Sequence, residues 1–364
     1  MRIGIDASRA IAPTPTGTET YSLHLIEALL ALGGSHRFCL YFRKPPPAGL
    51  FAGAEVRVLR FLRLWTLVGL SLEMAAHPPD VLFVPAHVLP PIHPRASVVT
   101  IHDLGYLYEP TRHPRLQRLY LDLSTRWSAR AAHSLVADSE ATKSDLVARY
   151  GVAADKITVA YPGVAADLRP VADRTQIEMV TRRYGIERPY ILYLGTLQPR
   201  KNLSRLIEAY AGLGARVPRL VLAGKHGWQA DRFVAEVERL GIAQRVVFAG
   251  YVRGEDKAAL LSGALAFIFP SLYEGFGLPV IEAQACGCPV ICSNVSSLPE
   301  VAGGAAVLVD PRDVDAWRAA LGQLLESADL RRELAQRGLT NARRFSWQTC
   351  AARVLETLER SAER

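Results

Sequence analysis

Short, continuous apolar runs rich in β-branched and aromatic residues recur along the chain, each followed by a glycine or polar turn and then a helical pattern. In the first half they read RIGIDA, FCLYF, VRVLR, VLFVP, SVVTIHD, SLVADS and ITVAY. In the second half they read YILYLGT, RLVLAGK, RVVFAG, AFIFPS, PVICSN and AVLVD. A strand with one wet face alternates apolar and polar residues, whereas a run that is apolar throughout is covered on both faces. The intervening helices supply that cover, so the pattern calls for parallel sheets. The series is broken by the loop-like YPGVAADLRPVADRT. A barrel of eight αβ units would need even spacing, so the break predicts an α/β chain of two Rossmann-like, doubly wound domains, over residues 1–170 and 171–344. A length of 364 residues, beyond what a single core usually serves, agrees.

The charge balance narrows the partners. Lys and Arg outnumber Asp and Glu by 43 to 35, a formal net charge of +8. Residues 1–170 hold 18 basic and 14 acidic residues, which leaves 25 and 21 for the rest, an excess of +4 in each part. Without a basic tail or block, a nucleic-acid partner is not expected, and anionic small molecules or an anionic membrane surface fit better. The five cysteines, Cys39, Cys286, Cys288, Cys292 and Cys350, are too few and too uneven for a disulfide framework. CGCPVIC has no matching Cys or His pair nearby, so it reads as small buried thiols and no metal is assigned. Asp313 and Asp315 in PRDVDAW stand at an expected helix start, where Asp is an ordinary cap. MRIGIDASRA does not read as a signal peptide, and FLRLWTLVGLSLEMAA carries Arg63 and Glu73 and is too short for a bilayer span. The expected location is cytoplasmic, with peripheral membrane contact.

Ligands of doubly wound sheets sit beyond the carboxyl ends of the strands. That rule directs attention to Gly17 through Tyr21, His102 and Asp103, Ser139, Gly195 through Asn202, Gly224 through Gly227, and Ser271 through Glu282. The last stretch, SLYEGFGLPVIEA, reads as a strand end, a glycine loop and a helix. Pro279 suits a first helical turn, where its missing N–H costs nothing, and Gly287 suits the stop. Glu274 then lies in the loop and Glu282 in the early helix. Gly275 and Gly277 allow close approach of a ligand, and the helix N-terminus offers amides to an anion. Such a segment combines a phosphate cradle with carboxylates that must face hydroxyl groups. GTLQPRKN adds counter-charge, since Arg200 and Lys201 are expected to open the next helix, where cations oppose the dipole unless an anion sits between.

Taken together, EGFGLPVIEA, GTLQPRKN, VTIHDL, VADSEATKSDL and YPGV resemble the retaining glycosyltransferases of family 4. The resemblance spans nearly the whole chain and implies the GT-B fold, two Rossmann-like domains facing across a cleft. It implies that residues 345–364, with Phe345 and Trp347, form a closing helix packed back on the N-terminal, acceptor-side domain. The C-terminal domain would bind a nucleotide-diphosphate sugar, without a metal or other cofactor. On the same resemblance Glu274 would meet the sugar's hydroxyls and Glu282 the ribose, while the backbone of Phe276, Gly277 and Leu278 would touch sugar and diphosphate. Lys201 matches the family's diphosphate lysine. Its partner arginine commonly stands where this chain has Thr196, so Arg200 supplies the charge instead. His102 matches a histidine near the reacting end of the sugar, although a strand-end His before Asp also serves as a plain turn residue. Gly17 would bring amides to the phosphates, and the base would lie near Gly224 and Val252.

The implied reaction is transfer of a hexose, mannose first, to a hydroxyl of a glycan, lipid-linked or small-molecule acceptor. HDLGYLYEPTRHP resembles the mannosyltransferase-like branch and favours GDP-mannose. A UDP-glucose-type transferase, a non-catalytic nucleotide-sugar binder and a nucleotide-sugar epimerase remain alternatives. Arg112, Arg115 and Arg118 either face acceptor phosphates or lipid headgroups, or form a solvated helix face.

Overall fold

The computed structural model describes residues 1–12, 14–61, 64–86, 88–108, 115–215 and 217–363. The chain divides into two compact units, Met1–Gly163 joined by the segment from Ser346 onward, and Val164–Phe345.

The first unit holds seven strands: β1 (Arg2–Asp6), β2 (Arg37–Phe42), β3 (Glu55–Val58), β4 (Val81–Val84), β5 (Ser97–Ile101), β6 (Ser134–Ala137) and β7 (Ile157–Val159). Their order across the sheet is β3-β2-β1-β4-β5-β6-β7, and every pairing is parallel. The second unit holds β8 (Tyr190–Leu194), β9 (Arg219–Ala223), β10 (Val246–Gly250), β11 (Ala266–Phe269), β12 (Val290–Ser293) and β13 (Val307–Val309). Its order is β10-β9-β8-β11-β12-β13, again parallel throughout. Both sheets therefore start in the middle, run to one edge, and return to continue on the other side. This is Rossmann-like winding, as the uninterrupted apolar runs require: β4, β5, β8 and β11 are buried along their whole length.

The chain leaves the first sheet after β7 and returns to that unit in its last helix, Trp347–Ala362. The helix packs against the helix Gly17–Leu32, and Trp347, Cys350, Ala351, Val354 and Leu358 enter the same core as Ile3, Ile5 and Val98. Trp347 sets its ring 5.8 Å from Tyr21 and 5.5 Å from His24. The close fit leaves no room at Gly163, where a Cβ would lie 2.2 Å from the Trp347 amide nitrogen. Among the described residues no helix is long and apolar enough to cross a membrane.

Candidate functional site

In a doubly wound sheet the loops part at the point where strand order reverses, opening a crevice at the strands' carboxyl ends. In the second unit that point lies between β8 and β11. The loop after β8 makes a tight turn at Pro199–Lys201, and the loop after β11 runs from Pro270 to Gly277. A main-chain bond stitches them, the Leu272 amide donating to the Arg200 carbonyl at 3.0 Å. Arg200 and Lys201 were expected to open the next helix, but that helix begins at Leu203. The reason is Asn202, which takes the left-handed conformation (φ 59°) and interrupts the winding. Asn tolerates this region better than most residues, and here its side-chain amide donates to the Pro311 carbonyl at 2.6 Å.

Freed from a helix, both cations turn to Glu274. Lys201 Nζ is bonded to Glu274 Oε1, and Arg200 Nη1 lies 3.4 Å from Oε2 while donating to the Tyr273 carbonyl at 2.7 Å. All three side chains are largely buried. A lone charge at such depth would be expensive, so the pairing is what permits it. Burial pushes the Glu274 carboxyl up, but Lys201 and then Arg200 outweigh it and hold the group below the usual carboxylate range. Two cations and one carboxylate give these three side chains a formal net charge of +1. Lys201 Nζ also lies 4.9 Å from the Phe269 ring centroid, at the end of β11.

The Glu274 loop is held by two serines that sequence reading did not single out. The Glu274 amide donates to Ser296 Oγ at 2.9 Å, and the Ser297 hydroxyl lies 2.6 Å from the Phe276 carbonyl oxygen and 3.0 Å from that of Glu274. Ser296 itself sits at a positive φ of 51°. Gly277 (φ 108°) starts the helix Leu278–Ala285, with Pro279 in its first turn. Phe276 is buried edge-on against Phe345 at 5.6 Å, and Leu278 is partly exposed at the helix start. From the next turn Glu282 meets Lys257 of the helix Gly254–Gly263 through both oxygens, at 3.1 and 3.2 Å. Glu282 holds the Lys257 ammonium above its ordinary pKa, against the pull of burial. Lys257 was not foreseen, because 25 residues separate it from its partner.

The ends of β9 and β10 continue the same edge of the sheet. Gly224 (φ 142°) is required by the fold itself, because a Cβ there would stand 1.9 Å from the Gly195 carbonyl oxygen. Lys225 Nζ lies 5.5 Å from the ring of Tyr251, whereas the neighbouring Val252 is buried.

In the first unit His102 lies at the end of β5, with partners at the ends of the neighbouring β4 and β6. His102 Nδ1 lies 2.6 Å from Asp138 Oδ2, and Nε2 lies 2.8 Å from the Pro85 carbonyl oxygen. Both ring nitrogens face oxygen atoms, an arrangement that favours the doubly protonated ring, while burial raises the Asp138 carboxyl as well. Burial alone would lower the His102 pKa, but Asp138 more than offsets this and raises it. The Tyr21 ring meets His102 edge-on at 4.7 Å. Neither Asp138 nor Pro85 was singled out from sequence, since their relation to His102 arises from neighbouring strands. Gly17 is the first residue of its helix, and Thr16 and Glu19 form the capping box. Among the described residues a Cβ on Gly17 would touch nothing within 4 Å. Arg112 lies outside the described residues.

The cysteines are buried and unbridged, and burial lifts the Cys286 and Cys292 thiols to about 12. Asp313 caps the helix Val314–Glu326, accepting from the Ala316 amide at 2.9 Å.

Residues 180–340 match the family of glycosyl transferases group 1, and residues 15–168 match glycosyltransferase family 4. The O-antigen chain mannosyltransferase B of Escherichia coli is 36 % identical over 263 residues, 71 % of this chain and 69 % of that protein. The serotype-specific mannosyltransferase WbdA of Escherichia coli is 29 % identical over 73 % of this chain but only 34 % of its own length. Among solved structures, sucrose-phosphate synthase from Thermosynechococcus elongatus superposes with a TM-score of 0.81 at 22 % identity, covering 99 % of this chain and 98 % of that one. Anabaena Alr3699/HepE, solved in complex with UDP and glucose, gives 0.76 at 20 % identity, covering 98 % and 99 %.

Proposed function

The chain belongs to the glycosyl transferases of group 1, and from that premise we propose that it moves a mannosyl group, with retention, from a nucleotide-diphosphate sugar to an acceptor hydroxyl. The cluster of Arg200, Lys201 and Glu274 at the reversal point of the second sheet carries the reading. Two cations held side by side at a strand end suit a diphosphate, and electrostatic stabilisation of charge developing on a leaving group is commonly the largest catalytic contribution. Lys201 and Arg200 would hold the departing diphosphate. Glu274 would keep both cations fixed in advance and turn its remaining acceptor capacity to sugar hydroxyls. Glu282, oriented by Lys257, would take the ribose hydroxyls. The backbone of Phe276, Gly277 and Leu278 would line the diphosphate, and Gly224 and Val252 would border the base. Relatives named as mannosyltransferases support mannose, and with it GDP-mannose as the donor. A structural neighbour solved with UDP and glucose is why UDP-glucose is the second donor to test.

For retention we take attack from the leaving-group face. The acceptor oxygen bonds to the anomeric carbon as the sugar–phosphate bond breaks, and the acceptor proton passes to the departing phosphate oxygen. His102, whose protonated form Asp138 and Pro85 favour, would contribute positive charge in the first unit rather than act as a base. Gly17, at a helix start, would offer its amide to an anion. The acceptor is a glycan, a lipid-linked sugar or a small molecule. No metal or further cofactor enters the scheme.

Incubation of the purified protein with GDP-mannose or UDP-glucose, followed by chromatography of the nucleotide products, tests the proposal. Release of GDP together with free mannose is expected, the sugar passing to water in place of an acceptor hydroxyl. A sugar nucleotide returned with an altered sugar would indicate an epimerase, and tight binding without any turnover would indicate a non-catalytic binder.

A further inference from the structure

The helix Arg115–Ala131 is turned the opposite way from an ordinary surface helix. Thr125, Ser128 and Ala129 are its buried residues. Leu116, Leu119, Tyr120, Leu123 and Trp127, spaced i, i+3, i+4, i+7 and i+11, are all exposed, Leu116 at 82 % and Leu123 at 56 %. That spacing puts the five on one continuous stripe, on the side away from the small residues that face the core. Beside the stripe runs a groove of about 350 Å³ lined by Leu67, Val88, Pro91, Tyr120, Leu123 and Trp127, so the apolar surface continues beyond the helix. Leu64, Val68 and Leu72, before and along the segment that carries Leu67, are exposed as well. Scattered exposed apolar residues need no explanation, but a contiguous surface of this kind marks a docking site.

Charge decides what docks there. The helix carries four arginines, Arg115, Arg118, Arg126 and Arg130, and one acid, Asp122, which is bonded to Arg126. Arg115, Arg118 and Arg130 make no ion pair among the described residues and are exposed. On the helical wheel Arg115, Arg126 and Arg130 flank one side of the stripe. A second copy would present an equally basic surface, which favours an anionic partner over self-association. An anionic bilayer instead receives leucines and aromatic rings at the acyl boundary and arginines at the headgroups, the arrangement of an interfacial amphipathic helix. We infer that the apolar stripe of residues 116–127, with the groove beside it, is a docking surface for an anionic lipid bilayer, on which the protein lies without spanning. This inference is independent of the reaction assigned to the second unit.

Co-sedimentation of the full chain with vesicles of phosphatidylcholine, with and without phosphatidylglycerol, tests it. Binding is expected with the anionic vesicles and is expected to weaken as salt is raised. Leu119→Glu with Leu123→Glu should reduce the partition coefficient about tenfold or more. Arg115→Glu with Arg130→Glu should weaken binding to anionic vesicles selectively. Leu116→Glu, at the most exposed position, serves as a second variant, and thermal melting by circular dichroism checks that each is folded. Four outcomes would overturn the inference: wild-type protein left in the supernatant with both vesicle types, equal binding to neutral vesicles, unchanged binding of the folded leucine variants, or a dimer by light scattering that the leucine substitutions dissociate while vesicles fail to bind.

Discussion

The two units wind their strands in the same order through six positions, yet they gather buried charge at different strand ends and with different chemistry. In the second unit, each of the two acids is sunk against a lysine, Glu274 against Lys201 and Glu282 against Lys257. In the first unit, the ends of β5 and β6 bring together the buried pair His102 and Asp138, set beside the rings of Tyr21 and, next to it, Trp347. The difference teaches that Rossmann winding supplies a place for a ligand and leaves the charge pattern to the loop residues.

Substitutions can break or sharpen that contrast. The largest effect is expected for Lys201→Ala, which removes the closest cation from Glu274. Turnover measured by nucleotide release should fall by about 10²–10³-fold, as for loss of one strong transition-state donor. A loss no greater than that of a first-unit variant would erase the contrast. Gly224→Ala comes next and acts on folding, because its Cβ would run into the Gly195 carbonyl oxygen. A loss of about 3 kcal/mol or more in denaturant unfolding is expected, from a backbone clash joined to an unfavourable φ.

Asp138→Asn probes the first unit through pH. The His102 pKa is raised in the folded state, so its contribution to stability is fully present below its unfolded value of about 6.5 and is lost as pH rises through the folded value. The wild-type advantage over Asp138→Asn in melting temperature should therefore be greatest at mildly acidic pH and shrink on the alkaline side. An advantage that grows with pH would show that His102 is not held as the cation. The smallest effect is expected for Lys257→Met, which keeps the apolar stem but frees Glu282. Donor affinity by calorimetry should drop about tenfold, near 1.4 kcal/mol, with turnover at saturating donor nearly unchanged. An equal fall in turnover would move Lys257 closer to the reacting atoms than proposed.

Much of the fold was legible because its signal is local. Runs such as YILYL and AFIF are apolar throughout, and only a strand covered on both faces tolerates that in a soluble chain. The glycine loop, Pro279 and Glu274 were likewise readable within one segment. What escaped was non-local. Lys257 reaches Glu282 across two helices, Pro85 and Asp138 reach His102 from flanking strands, and Ser296 and Ser297 clamp a loop more than twenty residues away in sequence. The turn at Asn202 redirected Arg200 and Lys201 from a helix start to a carboxylate.

The helix Arg115–Ala131 marks the boundary most plainly. Periodicity alone specifies a stripe of Leu116, Leu119, Tyr120, Leu123 and Trp127, because side chains three and four apart share a face whatever surrounds the helix. Whether that stripe turns inward or outward is not a property of the segment. Here Thr125, Ser128 and Ala129 are the small residues that let the helix sit close on the first unit, so packing directed the large apolar side chains to the surface.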